Sequence, residues 1–138
     1  MEFTQETFLY FLLRVVLGIL FFFQGYDKVF RLKISGVIEF FKTEMYGKGV
    51  PNFALVLAAY LTSFIELIGG ASLILGIFSN YTMYLLGLDL ILVVGAFSIL
   101  NAMWDMSMVF PRLLLLAILL YLPESANTFS LDHLLKLH

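Results

Sequence analysis

Apolar residues run through this chain in four blocks separated by short polar stretches, covering residues 8–30, 53–78, 81–100 and 108–122. A helix needs about 20 apolar residues to cross a hydrocarbon core of ~30 Å, and the first three blocks reach that length. The fourth is the weakest, because it is short and Pro111 and Arg112 interrupt its start. Proline is tolerated in a first helical turn, so Pro111 is compatible with a helix beginning there. Residues 31–50 are too polar to cross, with Arg31, Lys33, Lys42 and Lys48 among them. Within them Ser35 is placed to cap a short amphipathic helix reaching Met45, with Val37, Ile38, Phe41 and Met45 on one side. Such a helix is expected to lie in the interface plane. Ser79 and Asn80 alone separate the second and third blocks. A connection that short forces an antiparallel helical hairpin. The predicted fold class is therefore all-α. It is an integral membrane four-helix bundle in one domain, with a short interfacial amphipathic helix after the first span.

Composition strengthens this reading. The 138 residues are 62% hydrophobic and 13% charged, with a mean hydropathy of +0.99. A soluble domain carries about 25% charged residues. The lipid bilayer is thus the first partner the sequence implies. There is no cysteine, which excludes thiolate metal sites, thiol–disulfide exchange and c-type haem attachment within this chain. No phosphate loop, nucleophile elbow or basic nucleic-acid stripe is present, so nucleic acid is not an expected partner. No Lys or Arg precedes Arg14 and no small-residue cleavage site follows the first block. The first block is read as a retained helix rather than a cleaved signal. Lys28, Arg31, Lys33, Lys42 and Lys48 load the first loop. By the positive-inside rule that loop is cytoplasmic and both termini are outside. Tyr10, Tyr81, Tyr84 and Tyr121 fall near one interface, and Tyr26, Tyr46 and Trp104 near the other.

The candidate chemistry lies in the few polar residues inside the spans. Glu66 is the one charge in the second block. A carboxylate at mid-membrane costs about 2.5–3.5 kcal/mol on insertion scales, so it should face protein or water. Arg14 in the first block either snorkels to its own interface or joins a buried pair. Asp89 in the third block lies roughly 13 Å from Asn80 at 1.5 Å per residue, and depth favours pairing it with Arg14. The wider alternative is a buried polar cluster of Arg14, Glu66 and Asp89, in which close carboxylates share a proton. Such a cluster is a ligand or proton site, or a knot that fixes helix registry. Gln24, Tyr26 and Lys28 close the first span. They are an ordinary helix end with Lys28 favourable to the dipole, or contacts for a headgroup or a quinone ring. Gly18, Gly25, Gly69 and Gly70 are the candidate packing glycines, since small residues let membrane helices approach closely. Nothing at ligand spacing accompanies His133 or His138, so no metal site is expected.

Several of these residues recur in one order. Arg14, Gly18, Phe21, Gly25 and Lys28 stand at fixed helical spacing. Gly49-Val50-Pro51 follows, then Glu66, Gly69, Gly70 and Gly76, and a tail Phe129-Ser130-Leu131-Asp132. Nearly the whole chain resembles the DoxX-like family of small four-helix bacterial membrane proteins. The family usually has a histidine or similar polar residue where this chain has Gln24, and Asp89 lies outside its pattern. The resemblance implies a bacterial cytoplasmic (inner) membrane location. It also implies a quinone link, because some relatives are the membrane subunit of a thiosulfate:quinone oxidoreductase. Two functions follow as expectations. One is a quinone-linked membrane subunit of an oxidoreductase, with no cofactor in the chain itself beyond a bound quinone. The other is a non-catalytic membrane scaffold or chaperone, working with a partner protein or as a homo-oligomer.

Overall fold

The computed structural model describes residues 3–100, 107 and 109–136. All regular structure among them is helical. Helix α1 (Gln5–Tyr26) runs into a π-helical turn (Asp27–Arg31). Helices α2 (Lys33–Glu44), α3 (Asn52–Leu75), α4 (Ser79–Leu100) and α5 (Phe110–Tyr121) follow. A 3₁₀ turn (Glu124–Ala126) and the short α6 (Leu131–Leu135) end the chain. By length and composition, α1 with its π turn, α3 and α4 are each long and apolar enough to cross a membrane, and α5 is a shorter apolar helix.

Local sequence explains where the helices begin and end. Helix α1 starts ahead of the apolar block because Thr4 caps it. The Thr4 hydroxyl accepts from the Thr7 amide at 3.2 Å, and the Thr4 amide donates to the Thr7 hydroxyl at 2.9 Å. That reciprocal box satisfies two amides that would otherwise lack partners. Helix α3 stops at Leu75, short of the apolar block's end, because Gly76 takes the left-handed conformation at φ 72°. Its amide donates to the Ser72 carbonyl at 2.8 Å, the usual glycine stop. Pro111 sits in the first turn of α5. Ser35 is not a cap: α2 begins at Lys33, two residues earlier, with no side-chain cap bond. Val37 and Met45 are buried, and α2 packs on α3 and on the π turn.

The core is a glycine-cut seam between α1 and α3, the most extensive helix contact in the bundle. An added Cβ at Gly18 would lie 2.9 Å from the Gly70 carbonyl oxygen. One at Gly25 would fall on the Leu67 backbone, and one at Gly70 on the Phe22 backbone. Gly69 faces the other way, toward Leu86 of α4. Without a hydrophobic force between helices in lipid, this close dispersion contact supplies the attraction.

The connections fold the chain up and down. Arg112, near the start of α5, meets Gln24 near the end of α1. Past the end of α5, the 3₁₀ turn packs on α1, and Phe129 touches Phe3 and Phe11. So α5 returns the chain to the end where α1 began, although its 12 residues span only about 18 Å. One end of the bundle holds the N-terminus and the tail, and the other holds the first loop. Tyr10 does not join an interface belt. It is buried among Leu17, Phe21 and Leu73. Tyr81, Tyr84 and Tyr121 are exposed. Trp104, Asp105, Met108 and His138 lie outside the described residues.

Candidate functional site

The antiparallel seam decides which polar residues meet. Moving forward along α1 means moving back along α3. Gly18 faces Gly70, Gly25 faces Leu67, and Lys28, three residues on, reaches Glu66. Lys28 belongs to the π turn, where the Leu32 amide donates to the Asp27 carbonyl five residues earlier at 2.8 Å. Such a turn inserts an extra residue and is common at functional sites. Here Arg31 pairs with Asp27 on the outside at 3.2 Å, while Lys28 turns inward.

The Lys28 Nζ stands 2.9 Å from Glu66 Oε2 and donates to Thr62 Oγ1 at 3.2 Å. Thr62 in turn donates to Glu66 Oε1 at 3.3 Å. Thr62 precedes Glu66 by one helical turn, so both lie on one face of α3. Glu66 is 1% exposed and Asp89 0%. Lys28 keeps 22% of its side chain exposed.

Asp89 of α4 joins this group, with Glu66, Thr62 and Lys28 as its electrostatic neighbours. Neither of its carboxylate oxygens has a hydrogen-bond partner among the described residues. The buried hydroxyl of Ser63 is likewise without one. Arg112 of α5 completes the cluster. It donates to Gln24 Oε1, lies over the Phe21 ring at 5.6 Å, and is within the field of Glu66 and Asp89. Lys28, Arg112, Glu66 and Asp89 together make two positive and two negative groups, drawn from the π turn, α5, α3 and α4.

Arg14 is not part of this cluster, and the pair with Asp89 that depth favoured does not form. Its guanidinium donates to the carbonyls of Leu73 and Ile74, the latter at 3.1 Å, and to that of Phe129 at 2.6 Å. Leu73 and Ile74 are in the last turn of α3. From the backbone, the Leu73 carbonyl accepts only the 3.2 Å bond of the capping Gly76 amide, so these last carbonyls have acceptor capacity left and form the negative end of the helix dipole. Depth in the membrane ranks the carboxylates as partners but takes no account of backbone acceptors such as these. Arg14 is not a snorkelling residue either, since it is 1% exposed.

The tail has its own anchor. The Asp132 carboxylate accepts from the amides of Phe78 at 2.6 Å and Ser79 at 2.8 Å. It thereby satisfies the start of α4 from far away in sequence. The Asp132 amide donates to the Gly76 carbonyl at 2.8 Å. Beside this anchor lies a polar cleft of about 410 Å³ lined by Ser79, Asn80, Glu124, Asn127, Asp132 and His133.

Of the residues singled out in the sequence, Lys28, Glu66, Asp89 and Gln24 come together. Tyr26 does not, since it faces outward against Phe30 with ring centroids 4.9 Å apart. Thr62, Ser63 and Arg112 were missed. Arg112 does carry a signal, as a cation within an apolar block, the same feature that marks Glu66 and Asp89 as costly to bury. No group of three or more His, Asp or Glu among the described residues is placed to hold a metal.

No curated protein and no solved structure matches the chain. The family model described as DoxX matches residues 9–104. That match runs from the Arg14 helix through the Glu66 and Asp89 helices, and the chain belongs to the DoxX family.

Proposed function

We propose that this protein is the membrane subunit of a quinone-linked oxidoreductase, in which the Lys28–Glu66–Asp89–Arg112 cluster handles protons. The observation that carries this reading is Asp89. It is a fully buried carboxyl beside a second carboxyl, with Thr62 and Glu66 as its polar neighbours and no hydrogen bond of normal geometry to either oxygen among the described residues. A group that only fixed helix registry would be expected to have its bonds made, because an unsatisfied buried polar atom costs about 1–3 kcal/mol.

The donor set fits a quinone head. Lys28 and Arg112 offer N–H groups to a carbonyl oxygen on which negative charge develops, and Asp89 can hold or release a proton next to them. Taking up one proton raises the charge of the cluster by one. An electron arriving at the same place offsets that charge, so proton and electron are coupled by buried electrostatics. Full reduction of a quinone takes two electrons and two protons. The electrons come from a partner redox protein or directly from a reduced substrate. The bacterial inner membrane, with the first loop cytoplasmic and both termini outside, is the setting this reading takes from the family and the basic loop.

The Lys28–Glu66 ion pair favours a second reading, a membrane scaffold for a partner protein, because it ties α1 to α3 at one register. Native mass spectrometry after gentle extraction separates the two. The redox reading expects a stoichiometric quinone, and loss of quinol formation in a folded Asp89→Asn variant. A co-purified protein with no quinone, and full function in Asp89→Asn, would overturn it.

A further inference from the structure

The cluster has one open side. On every contributing helix, the core positions nearest the charged group on its tail side are apolar and buried. Leu17 and Phe21 precede Lys28, Leu73 follows Glu66, Leu86 precedes Asp89, and Leu116 and Leu119 follow Arg112. All six are at most 2% exposed and belong to one packed cluster. Beyond them the buried Arg14 closes that end onto the carbonyls of α3 and the tail. Among the described residues, this layer offers a proton no polar stepping stone.

Toward the first loop the situation is reversed. Lys28 is the most exposed charged member of the cluster, and its ammonium touches both Thr62 and Glu66. Thr62 also bonds to Glu66, and Asp89 faces both. The groups facing Asp89 from the surrounding elements are Glu66 and Thr62 of α3, Lys28 of the π turn and Arg112 of α5. These residues make a continuous polar file from the loop end to the buried carboxyl.

We infer that Asp89 and Glu66 exchange their proton only with the side of the membrane that holds the first loop. This rests on reading the cluster as a proton site, but it does not need a quinone to be tested. The step is a plain proton transfer from water at the Lys28 mouth to a carboxylate. No bond other than O–H forms, and the cluster gains one positive charge.

The test uses the full chain reconstituted in one orientation in vesicles buffered separately inside and outside. Infrared difference spectra follow the protonated-carboxyl band during a pH jump on one side. The band is assigned by its loss in Asp89→Asn, and independently in Glu66→Gln. It is expected to respond to acid on the first-loop side and to ignore acid on the tail side. A response from the tail side, or equal responses from both, overturns the inference. So does the absence of any responsive carboxyl band. Bound quinone in that last case would keep the redox reading and discard only this route.

A second measurement does not depend on changing a carboxyl. The chain has no cysteine, and Ser63 lies one turn from Glu66 with a buried hydroxyl. In Ser63→Cys, a small charged thiosulfonate added on the first-loop side should react about tenfold faster than from the tail side, a barrier difference of ~1.4 kcal/mol. Equal rates from the two sides, or a faster reaction from the tail side, refute the one-sided opening.

Discussion

Substituting Gly25 by alanine puts a methyl group inside the backbone of α3. A Cβ at this position lies 2.5 Å from the Leu67 Cα and 2.8 Å from its Cβ. Comfortable carbon–carbon contact is about 3.5–4.0 Å, so the two helices have to part by about 1 Å. No rotamer change can relieve the clash, because the obstacle is main chain. A gap of that size forfeits a quarter to a half of each dispersion contact along the seam. Overpacking of a tight core costs about 1–3 kcal/mol, and the upper end applies here. About 3 kcal/mol corresponds to a change of ~150-fold in the folding equilibrium. The same separation stretches the Lys28–Glu66 pair from 2.9 Å toward the limit of an ion pair. Gly95→Ala is the matched control, since no atom of the described residues lies within 4 Å of its added Cβ. Removing a glycine from a helix interior should leave that variant neutral or slightly more stable. Equilibrium unfolding in mixed micelles, followed by circular dichroism against a rising fraction of denaturing detergent, compares the two. If Gly25→Ala unfolds at the same point as Gly95→Ala, α1 and α3 are not packed at this distance and the register built on Gly25 is wrong.

The ion pair, the tail anchor and the Arg14 clamp give three further expectations. Lys28→Met strands a buried carboxylate and should cost about 3 kcal/mol, the low end for a broken buried pair because Lys28 is partly exposed. Lys28→Met combined with Glu66→Leu should recover most of that loss in the same unfolding assay, and a double variant as unstable as the single one would contradict the pairing. Asp132→Ala removes two charge-assisted bonds to backbone amides and should destabilise by about 2 kcal/mol. Its amide exchange should quicken at Phe78 and Ser79 before it does in α1, and unchanged exchange there would refute the cap. Arg14→Met releases the Phe129 carbonyl, so chymotrypsin should cut after Phe129 about tenfold faster through local opening of the tail, whereas an unchanged rate would mean that Arg14 does not hold it.

Much of the site was marked in the sequence without being assembled there. Glu66 and Asp89 stood out because acids inside apolar blocks are costly, and both are buried. Lys28 and Gln24 were noted as the end of a helix and prove to belong to the same cluster as the acids. Gly18 and Gly25 declared their role through spacing, since residues seven apart share a helix face, and Gly70 through the run of small residues it forms with Gly69 and Ala71. Arg14 was misassigned because its acceptors are backbone carbonyls, and every residue carries one of those. Asp132 was seen only as part of a tail pattern. Its task is to cap a helix that starts more than fifty residues earlier, and no local periodicity records such a bond.

The sequence by itself determined the solvent and the elements. Long apolar blocks demand lipid, lipid demands that backbone bonds be closed within helices, and the short polar break at Ser79 and Asn80 demands a hairpin, although its turn falls just before them, at residues 76–78. It also determined that Glu66, the one charge in its block, must find a partner. The tertiary structure alone decided which partner. Ion pairing depends on separations of a few ångströms, and these are set by how far α1 slides along α3 and by the extra residue of the π turn. A period of 3.6 contains neither quantity. Both emerge only when Gly25 closes on Leu67 and carries Lys28 to Glu66.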